Sequence, residues 1–214
     1  MTGDQSRREK EKQAREAEIV DAAERIFFAK GFDGASMDAI AREARFTKRT
    51  LYQYFDSKEG LYFAVALKWF NVLISYFDEA LKKGSNGYEK FYLAGAAYFR
   101  FSKDYPDAFR LLNSCKGIKT GPDADGRFQA MARLKYDMFQ KLAAAVEEGR
   151  RDGSIRQDLD PMMGAYAGVY LPIGFLNFVL QQGENLPGDG RVEKEALITY
   201  GFQLIAAAFR PGPD

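Results

Sequence analysis

The chain of 214 residues contains no histidine, which excludes the side chain that most often acts as a general base near neutral pH. The same absence excludes serine-histidine and cysteine-histidine nucleophile pairs and most zinc sites. The one cysteine, Cys115, has no second cysteine with which to form an intramolecular disulfide, so we expect a reducing compartment. We therefore expect neither catalytic residues nor a bound metal or cofactor.

Charge of one sign is not in excess either, because 31 Lys and Arg residues balance 30 Asp and Glu residues to a formal net charge of +1. The chain as a whole offers no general attraction to nucleic acid or to anionic membranes, so any such attraction has to be local. Residues 1–18 are polar and charged and lack the apolar segment of a signal peptide. We expect a cytoplasmic protein.

Strict alternation of apolar and polar residues is almost absent, whereas apolar residues recur at intervals of three and four almost throughout the chain. The sequence therefore predicts an all-α protein of about nine helices. The first helix is expected to end at Gly31, which suits a C-cap. Ser36, Thr47 and Ser57 are expected to begin the next three helices, of which the last runs without a helix breaker to about Lys83.

Five further helices are predicted after Gly84, with loops rich in glycine and proline between them. Their expected ranges are 88–105, 106–115, 123–152, 161–182 and 191–209. Residues 1–60 are charge-rich, whereas residues 61–214 contain most of the Phe and Tyr. We therefore predict an N-terminal domain of residues 1–60, with an arm over residues 1–16, and a C-terminal domain of residues 61–214.

Residues 36–55 are the most informative segment, because two short helices joined by a tight break have the size of a helix-turn-helix. Such a second helix lies in the major groove of DNA only if its outer face is polar and its inner face is anchored by apolar contacts. Leu51 and Phe55 are the expected anchors. The expected outward side chains carry hydroxyl, amide or cationic groups: Thr47, Lys48, Arg49, Thr50, Tyr52 and Gln53.

The run Thr50-Leu51-Tyr52-Gln53-Tyr54-Phe55, followed by Ser57-Lys58-Glu59, is specific as a combination. With these motifs, residues 17–68 resemble the DNA-binding domain of the tetracycline-repressor (TetR) family of bacterial transcriptional regulators. The resemblance implies base-edge contacts by Thr47, Lys48 and Arg49, and phosphate contacts by Thr50, Tyr52 and Lys58. Lys58 also suits a phosphate on physical grounds, because it is expected at a helix N-terminus.

Arg45 departs from the family pattern, which commonly has a glycine in the turn of the helix-turn-helix. If this position needs a positive φ, the arginine is mildly strained there. Either the turn has a different shape, or Arg45 is an additional phosphate contact. Phe46 stands where a smaller aliphatic residue is usual and is expected to pack into the core. In the arm, alternating acidic and basic residues favour a helical extension, and a minor-groove role for Arg7 and Arg8 is the alternative.

A helix-turn-helix of this size usually acts in pairs, so that two recognition helices enter successive major grooves about 34 Å apart. A homodimer surface is expected on the last two helices, because residues 161–183 contain no charged residue. The stretch is long enough to span a bilayer, but it lacks flanking Lys or Arg and contains Pro172, which favours a soluble interface helix. The candidate interface residues are Gly164, Gly168, Phe178, Leu197 and Leu204.

Aromatic residues are spread over the middle helices, and small-molecule pockets are mostly apolar with a few placed polar groups. Aromatic residues at helical spacing also describe an ordinary core, so the effector pocket is mainly what the family resemblance implies. The expected effector is a small apolar or aromatic molecule. The candidate pocket residues are Trp69, Phe99, Phe109, Asn113, Tyr136, Tyr170 and Asn177.

The sequence thus predicts a cytoplasmic, homodimeric transcriptional regulator, a repressor that a small molecule releases from a palindromic operator in double-stranded DNA. Effector binding is expected to shift a two-state equilibrium through the fourth helix. The alternative is an all-α small-molecule-binding protein or enzyme with a degenerate helix-turn-helix. The balanced charge of residues 1–60 and the presence of Arg45 keep this alternative open.

Overall fold

The computed structural model describes residues 3–114, 126–181 and 193–212. Over these ranges it contains nine α-helices and no strand, which confirms the predicted fold class. The helices are α1 Gly3–Gly34, α2 Met37–Ala44, α3 Lys48–Tyr52, α4 Lys58–Lys83, α5 Gly87–Asp104, α6 Pro106–Ser114, α7 Gly126–Asp152, α8 Pro161–Gln181 and α9 Lys194–Ala207. Cys115 lies outside the described residues.

The helix α1 includes the arm, and Arg7 and Glu11 form an ion pair of 3.0 Å one turn apart on it. This agrees with the expected helical extension. At Gly31 the backbone leaves helical geometry with φ 67° and ψ −179°. Such a φ suits glycine because it has no Cβ to collide with the backbone. The predicted end of the first helix therefore marks a real break in α1.

Side-chain caps begin the three helices that follow, as predicted. The Ser36 hydroxyl accepts a hydrogen bond from the Ala39 N–H at 3.2 Å, and the Ser57 hydroxyl accepts one from the Gly60 N–H at 3.0 Å. Thr47 does the same for the N–H of Thr50 at 3.1 Å. These bonds satisfy backbone donors that a helix leaves unpaired at its first turn.

The structure consists of two compact units. The first unit is Met1–Val72 with Ser102–Leu134, and the second unit is Leu73–Phe101 with Lys135–Asp214. The division falls within α4, α5 and α7. The predicted domain boundary after residue 60 stays a prediction.

Apolar and aromatic contacts hold the first unit together. Ile19, Ile40 and Leu51 of α1, α2 and α3 are completely buried, and α1 packs on both α2 and α6. The Tyr62 ring meets Phe27 edge to face at 5.0 Å. Its hydroxyl donates to the Leu111 carbonyl at 2.7 Å, so this ring is fixed at both ends.

The second unit has its own core. Phe91, Val146, Ile155 and Phe209 form a buried cluster, and α8 packs along α9. The helix α8 continues through Pro172 without ending. Two segments, Lys58–Lys83 and Pro161–Leu180, are long and apolar enough by composition to cross a membrane, but their apolar windows are 56% and 33% buried in the protein.

Candidate nucleic-acid interface

The helix α2 is an amphipathic support for the segment that follows it. Met37, Ile40 and Ala41 are buried, while Asp38 lies exposed in the first turn, where the positive end of the helix dipole favours a carboxylate. An exposed ion pair joins Arg25 of α1 to Glu43 of α2 at 2.6 Å. The buried face and this ion pair fix α2 on α1.

The turn after α2 depends on Arg45, which has φ 58° and ψ 32°. It is the one non-glycine residue with positive φ among the described residues. The N–H groups of Arg45 and Phe46 return to the carbonyls of Arg42 at 3.2 Å and Ala41 at 3.0 Å, which closes the end of the helix. The turn therefore keeps the left-handed residue despite the arginine, at a cost of about 1 kcal/mol. Phe46 is half-buried.

The helix α3 has one apolar side and one polar side. Leu51 is fully buried, and its carbonyl accepts hydrogen bonds from the N–H groups of Tyr54 at 3.0 Å and Phe55 at 2.9 Å. The side chains of Lys48, Arg49 and Tyr52 are exposed. The predicted division into anchoring and outward residues agrees with these positions.

Lys48 is held by α2 across the turn. Its ammonium group donates to the Asp38 carboxylate at 2.9 Å, although both side chains are more than half exposed. This hydrogen bond and the charge of Asp38 raise the pKa of Lys48 above its ordinary value of 10.5. The sequence alone did not suggest that a proposed base contact is paired with an acid of the preceding helix.

The arginines of this segment are in a different situation. Arg42, Arg45 and Arg49 are exposed, and within the described parts of the chain none of them has a salt-bridge partner. The Thr47 and Thr50 hydroxyls lie 2.8 Å apart beside them. The outer side of α2, the turn and α3 thus combines unpaired guanidinium groups with hydroxyls, which are typical donors to phosphates and base edges. We call the following residues the cationic face: Arg42, Arg45, Thr47, Lys48, Arg49, Thr50 and Tyr52.

Lys58 is placed differently from the other predicted phosphate contacts. Its ammonium group donates to the carbonyls of Phe32 at 2.8 Å and Ala35 at 3.1 Å and lies 4.1 Å from the centre of the Phe32 ring. Two of its three N–H donors are therefore used to tie the start of α4 to the last turn of α1 and to Ala35, the residue that follows α1. Carbonyls without intrahelical partners collect after a helix end, and this explains the arrangement.

The predicted pocket residues are divided between the two units, and the pocket that they were expected to form stays a prediction. Trp69, Phe109 and Asn113 belong to the first unit, where the Trp69 indole donates to Glu24 at 2.8 Å and the Asn113 amide donates to the Phe109 carbonyl at 2.9 Å. These hydrogen bonds tie the Trp69 and Asn113 side chains to their neighbours within the first unit, and the Phe109 side chain is buried there.

The other four pocket candidates, which are Phe99, Tyr136, Tyr170 and Asn177, belong to the second unit. Tyr136 is 61% exposed, and Tyr170 is 54% exposed. Asn177 is half-buried on α8. Phe99 alone among them lines a cavity described in the second unit.

That cavity has a volume of about 100 Å³ and lies between α5, α8 and α9; we call it the inner cavity. Phe91, Gly95 and Phe99 line it from α5, and Gly168 and Phe202 face them from α8 and α9. A Cβ at Gly95 would meet no atom within 4 Å. The sequence signal that would have indicated this site is the large-small-large stripe of Phe91, Gly95 and Phe99, which are four residues apart.

Two of the predicted interface residues pack inside their own protomer. A Cβ at Gly168 would lie 1.8 Å from the Phe91 ring, and a Cβ at Gly164 would lie 3.4 Å from Val146. The close approach that Gly168 permits is therefore to Phe91, whereas the distance at Gly164 is an ordinary contact. Their role in a dimer interface stays a prediction. Leu197 is half-buried.

Phe178 and Leu204 have the exposure that an interface requires. They are 58% and 56% exposed. Other large apolar side chains of the two helices are also exposed: Met163, Tyr166, Tyr170, Leu171, Leu180 and Tyr200. We call these side chains with Phe178 and Leu204 the apolar face of α8 and α9.

Sequence comparison with known proteins finds the same family that the helix-turn-helix motifs resemble. Residues 19–65 match the sequence profile of the family described as bacterial regulatory proteins, tetR family. The chain is 33% identical over 98 residues to the HTH-type transcriptional activator FasR of Mycolicibacterium smegmatis, and the alignment covers 46% of this chain and 45% of that protein. The chain thus spans less than half the length of this relative.

Solved structures match over nearly the whole chain. A bacterial regulatory protein of the tetR family from Rhodococcus RHA1 has a TM-score of 0.69 and 18% identity, and the match covers 93% of this chain and 98% of that chain. The regulator AibR, solved in complex with isovaleryl coenzyme A and operator DNA, has a TM-score of 0.64 and 22% identity, with 92% and 100% covered. These likenesses establish the fold.

Proposed function

We propose that this chain, whose residues 19–65 match the sequence profile of bacterial regulatory proteins of the tetR family, is a member of that family, binds duplex DNA and regulates transcription. The observation that carries the proposal is the cationic face, on which Arg42, Arg45 and Arg49 are exposed and lack a salt-bridge partner among the described side chains. The phosphates of a duplex supply the missing anions. The balanced charge of the whole chain is then no objection, because the positive charge is concentrated locally.

The N-terminal end of α3 is assigned to the base edges. Thr47, Lys48 and Arg49 are exposed there, and the guanidinium of Arg49 has the fork geometry that reads guanine in the major groove. Thr50 and Tyr52 are assigned to phosphates. Lys48 keeps two of its three N–H donors for a base while it stays bonded to Asp38, and the charge of that carboxylate reduces its contribution to affinity.

Arg45 and Lys58 complete the assignment with different tasks. Arg45 is an additional phosphate contact, because its side chain is exposed at the turn. Lys58 orients the helix-turn-helix through its bonds to Phe32 and Ala35. One N–H of its ammonium group stays available for a phosphate.

A homodimer is the proposed form of the protein on DNA. Monomeric soluble proteins rarely expose a contiguous apolar patch of more than a few hundred Å², and Phe178 and Leu204 belong to a larger set of exposed apolar side chains on α8 and α9. A second copy is the proposed cover. Twofold pairing also presents two α3 helices to a palindromic operator with half-sites about 34 Å apart.

A small-molecule effector and repression are the finer parts of the proposal. AibR was solved with both isovaleryl coenzyme A and operator DNA, which supports an effector-responsive mechanism. An effector that binds one conformation of the dimer better than the other lowers DNA affinity by that difference. FasR is named as an activator, so the sign is tested directly with a reporter gene behind the selected operator. We expect the purified full chain to run as a dimer in size-exclusion chromatography without detergent and to act in the cytoplasm.

The experiment that tests DNA binding is a selection of random duplex fragments on the purified full chain at two salt concentrations. We expect a palindromic motif whose enrichment falls with salt, because released counterions make phosphate binding salt-dependent. An absence of enrichment at both salt concentrations would overturn the proposal and favour a small-molecule-binding protein with a degenerate helix-turn-helix.

A further inference from the structure

The arm belongs to α1, and a helix gives each of its side chains a definite side. Arg8, Lys12 and Arg15 are spaced four and three residues apart, so they share one side of α1. All three are exposed; we call them the arm stripe. Ile19, four residues further on, continues the same line and is completely buried. The side of α1 that enters the core at Ile19 is therefore cationic along the arm.

The carboxylates of the arm lie on the flanks of the arm stripe. Glu11 is one turn from Arg15, but it accepts a hydrogen bond from Arg7 at 3.0 Å instead. Glu9 lies about a quarter of a turn around the helix from the middle of the stripe. In the part of the chain that the structure describes, Lys12 and Arg15 have no ion-pair partner. Their charges are therefore available to an anionic partner.

An ion pair locates the base of the arm beside the end of the helix-turn-helix. Glu16 accepts a hydrogen bond from Arg127 of α7 at 2.5 Å, and the Arg127 guanidinium lies 4.7 Å from the centre of the Phe55 ring. All of these residues belong to the first unit. Phe55 comes three residues after Tyr52, which is a proposed phosphate contact. The arm stripe therefore begins near the α3 end of the cationic face.

The chemistry of the arm favours the backbone of a duplex as its partner. The stripe spans about 10 Å along the helix axis, at 1.5 Å per residue. One strand of a duplex carries a phosphate about every 3.4 Å along its axis, so a stripe of this length faces two or three phosphates. Residues 7–18 contain no large apolar side chain that would insert into a membrane or fill a pocket of another protein.

We propose that the arm stripe binds the phosphates of the DNA that flanks the half-site contacted by α3. This inference rests on the proposed function, because it adds a second contact surface to the cationic face. Lys12 and Arg15 donate to the phosphates, and each contact releases condensed counterions. The two arms of a dimer lengthen the contacted duplex without reading its sequence, since phosphate contacts carry no base information.

The first test compares two lysines of the arm. Lys12→Gln removes a cation from the stripe, whereas Lys10→Gln removes one from nearly the opposite side of α1. Both lysines are exposed, and glutamine has a helix propensity close to that of lysine. We expect Lys12→Gln to weaken binding to the selected operator by about 3-fold and Lys10→Gln to leave it unchanged. Equal losses in the two variants would indicate general charge attraction and would overturn the proposal.

The second test removes the flanking DNA. The double variant Lys12→Gln/Arg15→Gln is expected to lose about 10-fold in affinity at low salt, and its salt slope should fall by about 2 for each half-site. Shortening the duplex to the palindrome alone should weaken binding of the unmodified chain by a similar factor and leave the double variant unaffected. A duplex end that matters equally to both proteins, or to neither, would overturn the contact.

The order of the measurements separates this inference from the proposed function. The selection of random duplex fragments is first carried out with the unmodified full chain, and it tests DNA binding itself. If that selection gives a palindrome but the double variant has the same affinity and salt slope as the unmodified chain, the arm contact alone is overturned. Far-ultraviolet circular dichroism and melting temperature of the double variant are expected to be unchanged, so that its loss of affinity reports the contact and not unfolding.

Discussion

The helix-turn-helix segment and the α8–α9 segment are both helical, but they present opposite kinds of side chain to water. The first exposes Lys48, Arg49 and other polar groups around a small buried anchor, Leu51. The second exposes Phe178, Leu204 and further large apolar side chains. The difference shows that a charged surface is stable in water before a partner binds, whereas an exposed apolar surface indicates a partner that covers it.

The two segments are also specified by different means. Caps at Ser36 and Thr47 define where α2 and α3 begin, and the ion pair of Lys48 with Asp38 links them. The helix α9 has no side-chain cap bond at its start. The comparison therefore separates a region defined by local polar contacts from a region defined by packing, and the following changes test that separation.

The largest effect is expected from Leu204→Glu. A carboxylate at this position would be buried without a partner in the proposed dimer, at a cost of several kcal/mol. We expect a monomer in light scattering and a loss of DNA affinity of about 100-fold or more, because binding through two linked heads is lost. Tyr136→Glu changes another exposed large apolar side chain, on α7 outside the proposed interface, and should leave the dimer intact. A dimer of Leu204→Glu with full affinity would refute the assignment of the apolar face.

Arg49→Ala is expected to have the next largest effect, and only on DNA. Loss of a bidentate base contact costs about 1–3 kcal/mol and relaxes specificity at one base pair. The measurement is the affinity and the selected motif of the variant. Arg133→Ala removes the same charge from α7 and serves as the control. An unchanged affinity and motif for Arg49→Ala would rule out this contact.

Lys58→Met tests the hydrogen bonds that fix the helix-turn-helix. The aliphatic stem is retained, but the bonds to the Phe32 and Ala35 carbonyls are lost. We expect the free energy of unfolding to fall by about 1.5–3 kcal/mol in denaturant titrations. Lys82→Met, at an exposed position near the end of α4, should be neutral. Equal stability of the two variants would argue against a structural role for Lys58.

Arg45 is expected to affect stability and DNA affinity in opposite directions. Arg45→Gly relieves the left-handed strain and should raise the free energy of unfolding by up to about 1 kcal/mol. It should also reduce the salt slope of DNA binding by about 1, because one phosphate contact is lost. Arg45→Ala keeps the strain but loses the charge, so it should show only the second effect. A salt slope unchanged in both variants would exclude the phosphate contact.

The smallest effect is expected from Asp38→Asn. Without the carboxylate, the pKa of Lys48 should fall back toward 10.5, the ordinary value above which Asp38 now holds it. The ion pair persists at neutral pH and is lost only as pH rises through the raised pKa. We expect a few-fold gain in DNA affinity, because a negative charge beside the duplex is removed. A side-chain titration of Lys48 by nuclear magnetic resonance that shows no change would contradict this coupling.

Much of the fold was predictable because its signals are local. The period of apolar residues indicated the helices, and Ser36, Thr47 and Ser57 indicated where three of them begin. Arg45 also has a positive φ, which is the conformation that would favour the glycine that the family commonly has in this turn. Each of these features depends on residues within one helical turn, where backbone hydrogen bonding decides the conformation.

The placement of individual side chains was harder to predict. Gly168 indicated a close approach, but the sequence did not reveal that Phe91 occupies it. Trp69 and Phe109 were grouped with Phe99 by residue type, yet they belong to a different unit. An aromatic residue at helical spacing has the same pattern whether it faces a core, a cavity or water.

The sequence by itself determined the helical class, the caps and the helix-turn-helix, because hydrogen bonding and steric limits act over a few neighbouring residues. Only the tertiary structure decided that Lys48 pairs with Asp38, that Lys58 binds carbonyls of a distant segment, and that Gly95 faces an inner cavity. These contacts join residues far apart in the chain. They depend on how helices pack, and side-chain packing selects one among many arrangements that share the same apolar pattern.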